Sequence, residues 1–177
     1  MFYCGVVNFI KHHFIREERE DDRALVRSIN EAAFGRADEA DLIERLRSEN
    51  VVLASLVAVF DSELVGHILF SRMWIQGAHD LVSAVTLAPM AVLPKRQRLG
   101  IGGEMIRCGL DLLRERAEGI VLVLGHPDYY PRFGFSCEKA CLLESPFPAE
   151  AFMALELRRG ALERVNGRVK YPAAFGL

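Results

Sequence analysis

Gln97-Arg98-Leu99-Gly100-Ile101-Gly102-Gly103 joins an apolar run over residues 81–92 to an amphipathic stretch over residues 102–118. In that stretch Met105, Ile106, Leu110, Leu112, Leu113 and Ala117 recur at helical spacing, which predicts the longest helix of the chain. The amides of a helix's first turn have no intrahelical acceptor, and the helix dipole favours an anion there by about 0.3–1 kcal/mol. Glycines remove the side chains that would keep a phosphate off the backbone. Lys95, Arg96 and Arg98 add local positive charge. The stretch is neither the dinucleotide fingerprint, since no G-x-G-x-x-G follows the first strand, nor a P-loop, since no Gly-Lys-Ser/Thr closes it. Glycine spacing alone fits equally a glycine-rich helix entry that binds nothing.

Upstream of this join the pattern predicts two helices and then a meander. Asp21 or Asp22 can cap a helix carrying Leu25, Val26, Ile29, Ala32 and Ala33, and Asp38 can cap a second with Leu42, Ile43 and Leu46 on one face. Residues 53–60 and 63–74 read as a hairpin turning at Asp61 and Ser62, and Pro89 should disturb the strand over 81–92 because it has no N–H for a ladder. Downstream, Gly119 stands where the long helix should stop, and residues 120–124 read as a strand buried on both faces. Asp128 is the expected cap of a short helical turn that closes at Gly134. Strands are expected over 135–143, 152–157 and 169–171, the last after the turn Asn166-Gly167. That order implies an α/β fold of the α+β kind: one mixed sheet of about seven strands flanked by helices.

A chain of 177 residues with 51% hydrophobic and 26% charged residues has the size and composition of one globular domain. A net charge of −2 offers no general field for nucleic acid or an anionic membrane, so neither is an expected partner. Cys4, Cys108, Cys137 and Cys141 lack zinc-ligand spacing, so no metal is expected and reduced cysteines suit a cytoplasmic protein. Residues 1–13 read as an N-terminal arm, too short at its apolar start to cross a bilayer, and residues 14–177 as a single domain.

Gln97-x-x-Gly100-x-Gly102, following Met90-Ala91-Val92-Leu93-Pro94, resembles the acetyl-CoA signature of the GNAT N-acetyltransferases. The stretch His126-Pro127-Asp128-Tyr129-Tyr130-Pro131-Arg132-Phe133-Gly134-Phe135 resembles that family's second landmark, a Tyr four residues before the Gly of a Gly-Phe pair. Likeness to the YhbS-like branch extends through Leu56-Val57-Ala58, Val65-Gly66-His67-Ile68 and the tail from Phe152 to Phe175, covering about residues 14–176.

The resemblance implies a centrally splayed sheet, with the pantetheine arm of acetyl-CoA lying between strands 88–92 and 120–124. Met90, Ala91 and Val92 would face it, the amide of Val92 or a neighbour polarising the thioester carbonyl. Gln97, Arg98, Leu99, Gly100, Ile101, Gly102 and Gly103 would hold the pyrophosphate. Tyr130 is the implied general acid toward the leaving thiolate, with Tyr129 an implied coenzyme contact and the competitor for that role if the turn is rotated by one residue. His126 and Asp128 are candidates for the base, although either can equally serve the turn itself. The expected reaction is acetyl transfer to a primary amine of an unidentified small molecule or protein. A non-catalytic acyl-CoA-binding or sensing module is the alternative. The apolar residues 151–157 suit a strand that pairs across a homodimer.

Overall fold

Val52–Phe60 and Glu63–Gln76 form the long strands β2 and β3, as their branched and aromatic residues dictate. Asp61 and Ser62 between them take φ of 47° and 66°, the two-residue primed turn whose twist suits a hairpin. Leu81–Val92 continues the meander as β4, antiparallel to β3. This computed structural model describes residues 13–177. The expected arm therefore lies outside the described residues except for His13, which opens strand β1 (His13–Glu17) on the outer edge of β2.

The remaining strands are β5 (Ile120–Leu124), β6 (Leu143–Glu144), β7 (Phe152–Glu156) and β8 (Gly167–Lys170). They complete an eight-stranded sheet ordered β1-β2-β3-β4-β5-β7, with β8 paired to β3 and β6. The extra strand relative to the expected seven is β1, whose charged Arg16 and Glu17 hide it among polar sequence.

One break in the ladder shapes everything that follows. β4 and β5 are parallel neighbours only at Val85↔Val121 and Thr86↔Leu122, yet β4 runs on to Val92 and β5 to Leu124. Beyond Thr86 the two strands separate. Against β3, the register steps from Phe70↔Leu87 to Ile68↔Met90, so β4 carries one extra residue around Pro89. A bulge of this kind bends its strand, and here it bends β4 away from β5.

Three helices cover the sheet: α1 (Arg23–Phe34), α2 (Asp38–Ser48) and α3 (Ile101–Glu115). Successive β3 residues point to opposite faces. Ile68 and Phe70 pack with Met105, Ile106, Leu110 and Leu113 of α3, whereas Leu69 joins Val26, Ile43 and Leu46 of α1 and α2. Phe70 is fully buried, worth about 1.5–3 kcal/mol. Gly109 makes this contact: a Cβ there would strike the Phe70 ring, so only glycine lets α3 lie this close.

Several local expectations are corrected. Asp22 precedes α1 but does not cap it, because its carboxylate accepts from Arg16 Nη1 at 2.5 Å and from the Arg19 amide at 2.7 Å. Asp38 is the first residue of α2 rather than its cap, and with Glu39 and Asp41 it complements the positive end of the helix dipole. α3 stops at Glu115, and Ala117, not Gly119, takes the left-handed position after it. Asp128 caps nothing: a 3-10 turn runs over Tyr130–Phe133 from Tyr129 and closes at Gly134, as expected for its end. Residues 135–143 make no continuous strand: Ser136 forms a single antiparallel bridge to Ala154, and only Leu143, at the far end, enters β6. Ser136 Oγ accepts from the Glu138 amide at 3.1 Å, a local bond that competes with a ladder, and a 3-10 turn follows over Glu138–Ala140.

Candidate functional site

The gap between β4 and β5 has a polar wall made of backbone. Leu93 N–H donates to Val65 O at 2.9 Å, and antiparallel pairs alternate between bonded and non-bonded. Ala91 therefore bonds toward His67 on β3, while Met90 and Val92 turn their backbone groups to the gap. Gln97 Nε2 donates to Val92 O at 3.1 Å, tying the turn to the strand end. The amides of Met90 and Val92 are left facing open space. Ala91, by contrast, is 3% exposed and turned to β3, so it offers the gap nothing.

After a short 3-10 turn, Pro94–Arg96, the chain bends through Arg98 (φ 62°) and Gly100 (φ 87°) into α3. The first α3 amide with an intrahelical partner is that of Glu104, which donates to Gly100 O at 3.1 Å. Ile101, Gly102 and Gly103 are thus the helix's unsatisfied donors. Across from them stands the turn after β5. A Cβ on Gly102 would lie 2.9 Å from the Tyr129 hydroxyl, and one on Gly103 would lie 3.3 Å from the Phe133 ring.

Between helix start, strand end and turn lies a cavity of about 690 Å³. Met90, Val92, Gln97, Arg98, Gly100, Ile101, Gly102, Gly103 and Tyr129 line it. Leu99 is half-exposed outside it, and Lys95 is engaged by Glu63 at 2.7 Å. Arg96 lines the cavity with its guanidinium 4.1 Å over the Phe60 ring. Arg107, Arg132 and Phe133 line it too, and sequence reasoning did not single them out. Arg107 stands one helical turn beyond Gly103, on the same face, and that spacing was the available signal. No acidic side chain is among the described residues of the lining.

The two tyrosines hold different positions. Tyr129 is half-buried at the cavity wall, with Arg132 4.3 Å over its ring. Burial raises its phenol pKa, and Arg132 and Arg107 act against that rise. Tyr130 does not line the cavity but packs beneath it, 8% exposed, edge-on to Tyr129 at 5.2 Å and to Phe135 at 5.8 Å. Its ring lies against Gly125 at the end of β5, so closely that a Cβ on Gly125 would overlap it. Burial first, and then Tyr129, push the Tyr130 phenol up to about 12. Its hydroxyl makes no hydrogen bond within the described residues, yet it is not among the sealed, unpartnered polar atoms.

His126 and Asp128 lie outside this cavity, their side chains 73% and 92% exposed, with Nδ1 and the carboxylate 3.8 Å apart. The His126 carbonyl accepts from the amides of Tyr129 at 3.0 Å and Tyr130 at 3.4 Å, so the pair is fixed to the tyrosines through backbone. His67 sits inside the sheet, its Nε2 2.9 Å from Ser55 Oγ and its Nδ1 3.3 Å from Asn30 Nδ2. No group of three or more His, Cys, Asp or Glu among the described residues is arranged to hold a metal. No helix among them is long and apolar enough to cross a membrane.

Residues 13–135 match the family model described as the acetyltransferase (GNAT) family. The chain is 38% identical over 141 residues to the uncharacterized N-acetyltransferase YjhQ of Escherichia coli K12, covering 78% of this chain and 76% of that protein. It is 33% identical to YhbS of the same organism, covering 91% and 97%. The crystal structure of Escherichia coli YhbS in complex with CoA superposes with a TM-score of 0.88 at 30% identity over 98% of this chain and 97% of that one. A GNAT acetyltransferase from Brucella melitensis in complex with acetyl-CoA gives 0.77 at 36% identity over 93% and 98%.

Proposed function

The chain belongs to the GNAT family of acetyltransferases, and from that premise we propose that it moves an acetyl group from acetyl-CoA directly onto a primary amine of a small molecule or protein. One observation carries the reading: the free amides of Ile101, Gly102 and Gly103 and the open backbone of Met90 and Val92 face a single cavity ringed by four arginines. The first set suits a pyrophosphate. The second suits the amides of an extended pantetheine chain, which would add to β4 where β5 has left it. Two GNAT neighbours hold CoA or acetyl-CoA.

With the pyrophosphate at the helix start, the coenzyme runs along β4 from Val92 toward Met90, and its thioester lies deepest. The Met90 or Val92 amide then donates to the carbonyl oxygen as it gains charge. Attack by an unprotonated amine forms the C–N bond and breaks the C–S bond. Tyr130 is the proposed donor to the departing sulfur, supported by its position one residue deeper than Tyr129, whose hydroxyl stands over the phosphate end. A phenol pushed up to about 12 lies above the range of a thiol, so full proton transfer to the sulfur is uphill. Tyr130 therefore acts through the hydrogen bond it gives the nascent thiolate. The amine's proton leaves through His126, oriented by Asp128, and solvent returns one to the sulfur. His126→Gln should lower kcat/KM by about a hundredfold; an unchanged kcat/KM removes His126.

Isothermal titration with acetyl-CoA and a thiol-release assay over a panel of amines test the reading. Binding with turnover supports it, whereas binding without turnover on any amine or cell extract favours an acyl-CoA-binding module. Gly102→Val should weaken acetyl-CoA binding by about tenfold or more, because its side chain fills the space between the helix start and Tyr129. Undiminished binding would move the phosphate site elsewhere.

A further inference from the structure

Most arginines of this protein face a carboxylate: Arg16 has Asp22, Arg47 has Glu18, and Arg72 has Glu118. Among the described residues, Arg107 and Arg132 do not. They flank the same Phe133 ring, 5.2 Å and 5.6 Å from its centroid, and reach it from α3 and from the turn after β5. Two cations held near one ring without a counter-ion repel each other, and an anion between them relieves that repulsion. Both groups also act on the Tyr129 phenol, which puts them at the phosphate end of the cavity.

A smaller cavity of about 290 Å³ continues outward past them, sharing Arg107, Arg132 and Phe133 with the first. It adds Arg114 and Asp111, which are paired to each other at 2.6 Å. The charge left for a ligand is positive. Arg107 lies four to six residues beyond the free amides of α3, about 6–9 Å along the helix axis. That is the separation of a second phosphate one ribose away from a pyrophosphate.

We infer that Arg107 and Arg132 bind the ribose 3′-phosphate of the coenzyme in this outer cavity, so that the protein distinguishes coenzyme A from its 3′-dephospho form. The inference rests on the acetyl-CoA reading. A phosphomonoester is close to dianionic at neutral pH, and guanidinium forks match its oxygens as a lysine would not. The pyrophosphate at the helix start is common to both coenzyme forms. Discrimination between them must then come from the outer arginines.

The experiment is titration of the wild-type protein, Arg107→Gln, Arg132→Gln and the double variant with acetyl-CoA and with acetyl-3′-dephospho-CoA. Both side chains are exposed, so thermal denaturation should show the fold unchanged. The wild type should prefer acetyl-CoA by about tenfold or more, and the double variant should bind both forms within about twofold, the whole change falling on acetyl-CoA. Equal binding of both forms by the wild type overturns the inference and leaves the coenzyme reading standing. So does a preference that survives in the double variant. Binding of neither form overturns the coenzyme reading itself, and the inference with it.

Discussion

Tyr130→Phe should lower kcat by about a hundredfold or more while changing the Kd for acetyl-CoA by less than about twofold. The ring is what packs: it fills the space beside Gly125 and meets Phe135 edge-on, and Phe keeps both contacts. The hydroxyl has no partner within the described residues, so removing it orphans no buried group and should leave the thermal midpoint close to wild type. Its one proposed task is to hydrogen-bond the sulfur as the C–S bond breaks, an interaction present in the transition state and absent from coenzyme binding. Tyr129→Phe is the contrasting control. That hydroxyl stands over Gly102, so its loss should raise Kd more than it lowers kcat. Steady-state kinetics with separate binding titrations read both. A Tyr130→Phe enzyme with wild-type kcat, or one in which the two variants exchange behaviour, removes Tyr130 from the reaction and puts Tyr129 in its place.

The helix-start wall of the cavity was readable in sequence because it is local. Gln97, Gly100, Gly102 and Gly103 lie within seven residues, and the conformations they need, left-handed at Gly100 and uncrowded at Gly102, are properties of single residues. Pro89 likewise announced a disturbed strand, and the structure has both a bulge and the end of the β4–β5 ladder there. What convergence creates was not readable. Arg107 and Arg132 are 25 residues apart in the chain and meet only because α3 and the turn after β5 face each other across the gap. Nor could spacing show that Gln97 spends its amide on Val92 O, or that Tyr130 lies beneath the cavity and Tyr129 beside it. Two failures of local structure share one cause: side chains took bonds that the backbone pattern had reserved. Asp22 turned to Arg16, and Ser136 turned to the Glu138 amide.

His67 should make the protein lose stability as pH falls from about 6.5, ahead of most carboxylate titration, by roughly 2–3 kcal/mol by pH 4.5. It lies at the centre of the sheet, fully buried, and burial chiefly, with Arg47 assisting, pushes its pKa down to about 3. Glu18 comes within 3.8 Å of Nε2 and would favour a charged ring, but Arg47 already pairs with Glu18, so burial decides. The other groups facing it, Ser55 from β2 and Asn30 from α1, are neutral. An imidazole that stays neutral when folded and takes a proton near 6.5 when unfolded makes the unfolded state bind the extra proton. Stability is then full above pH 6.5 and falls by about 1.4 kcal/mol per unit below it until the folded ring itself titrates near 3. Asp22, Glu39 and Glu63 have lowered pKa values, so the stability they contribute begins to fall in the ordinary carboxylate range and is lost as pH drops through their lowered values. Urea midpoints of wild type and His67→Gln between pH 7.5 and 4.5 separate the two effects. Gln is less stable at neutral pH, since it cannot bridge Asn30 and Ser55 as the ring does, but its stability should be nearly flat across that window. If both proteins fall with the same slope, the acid sensitivity belongs to other groups and His67 is not the buried neutral ring described here.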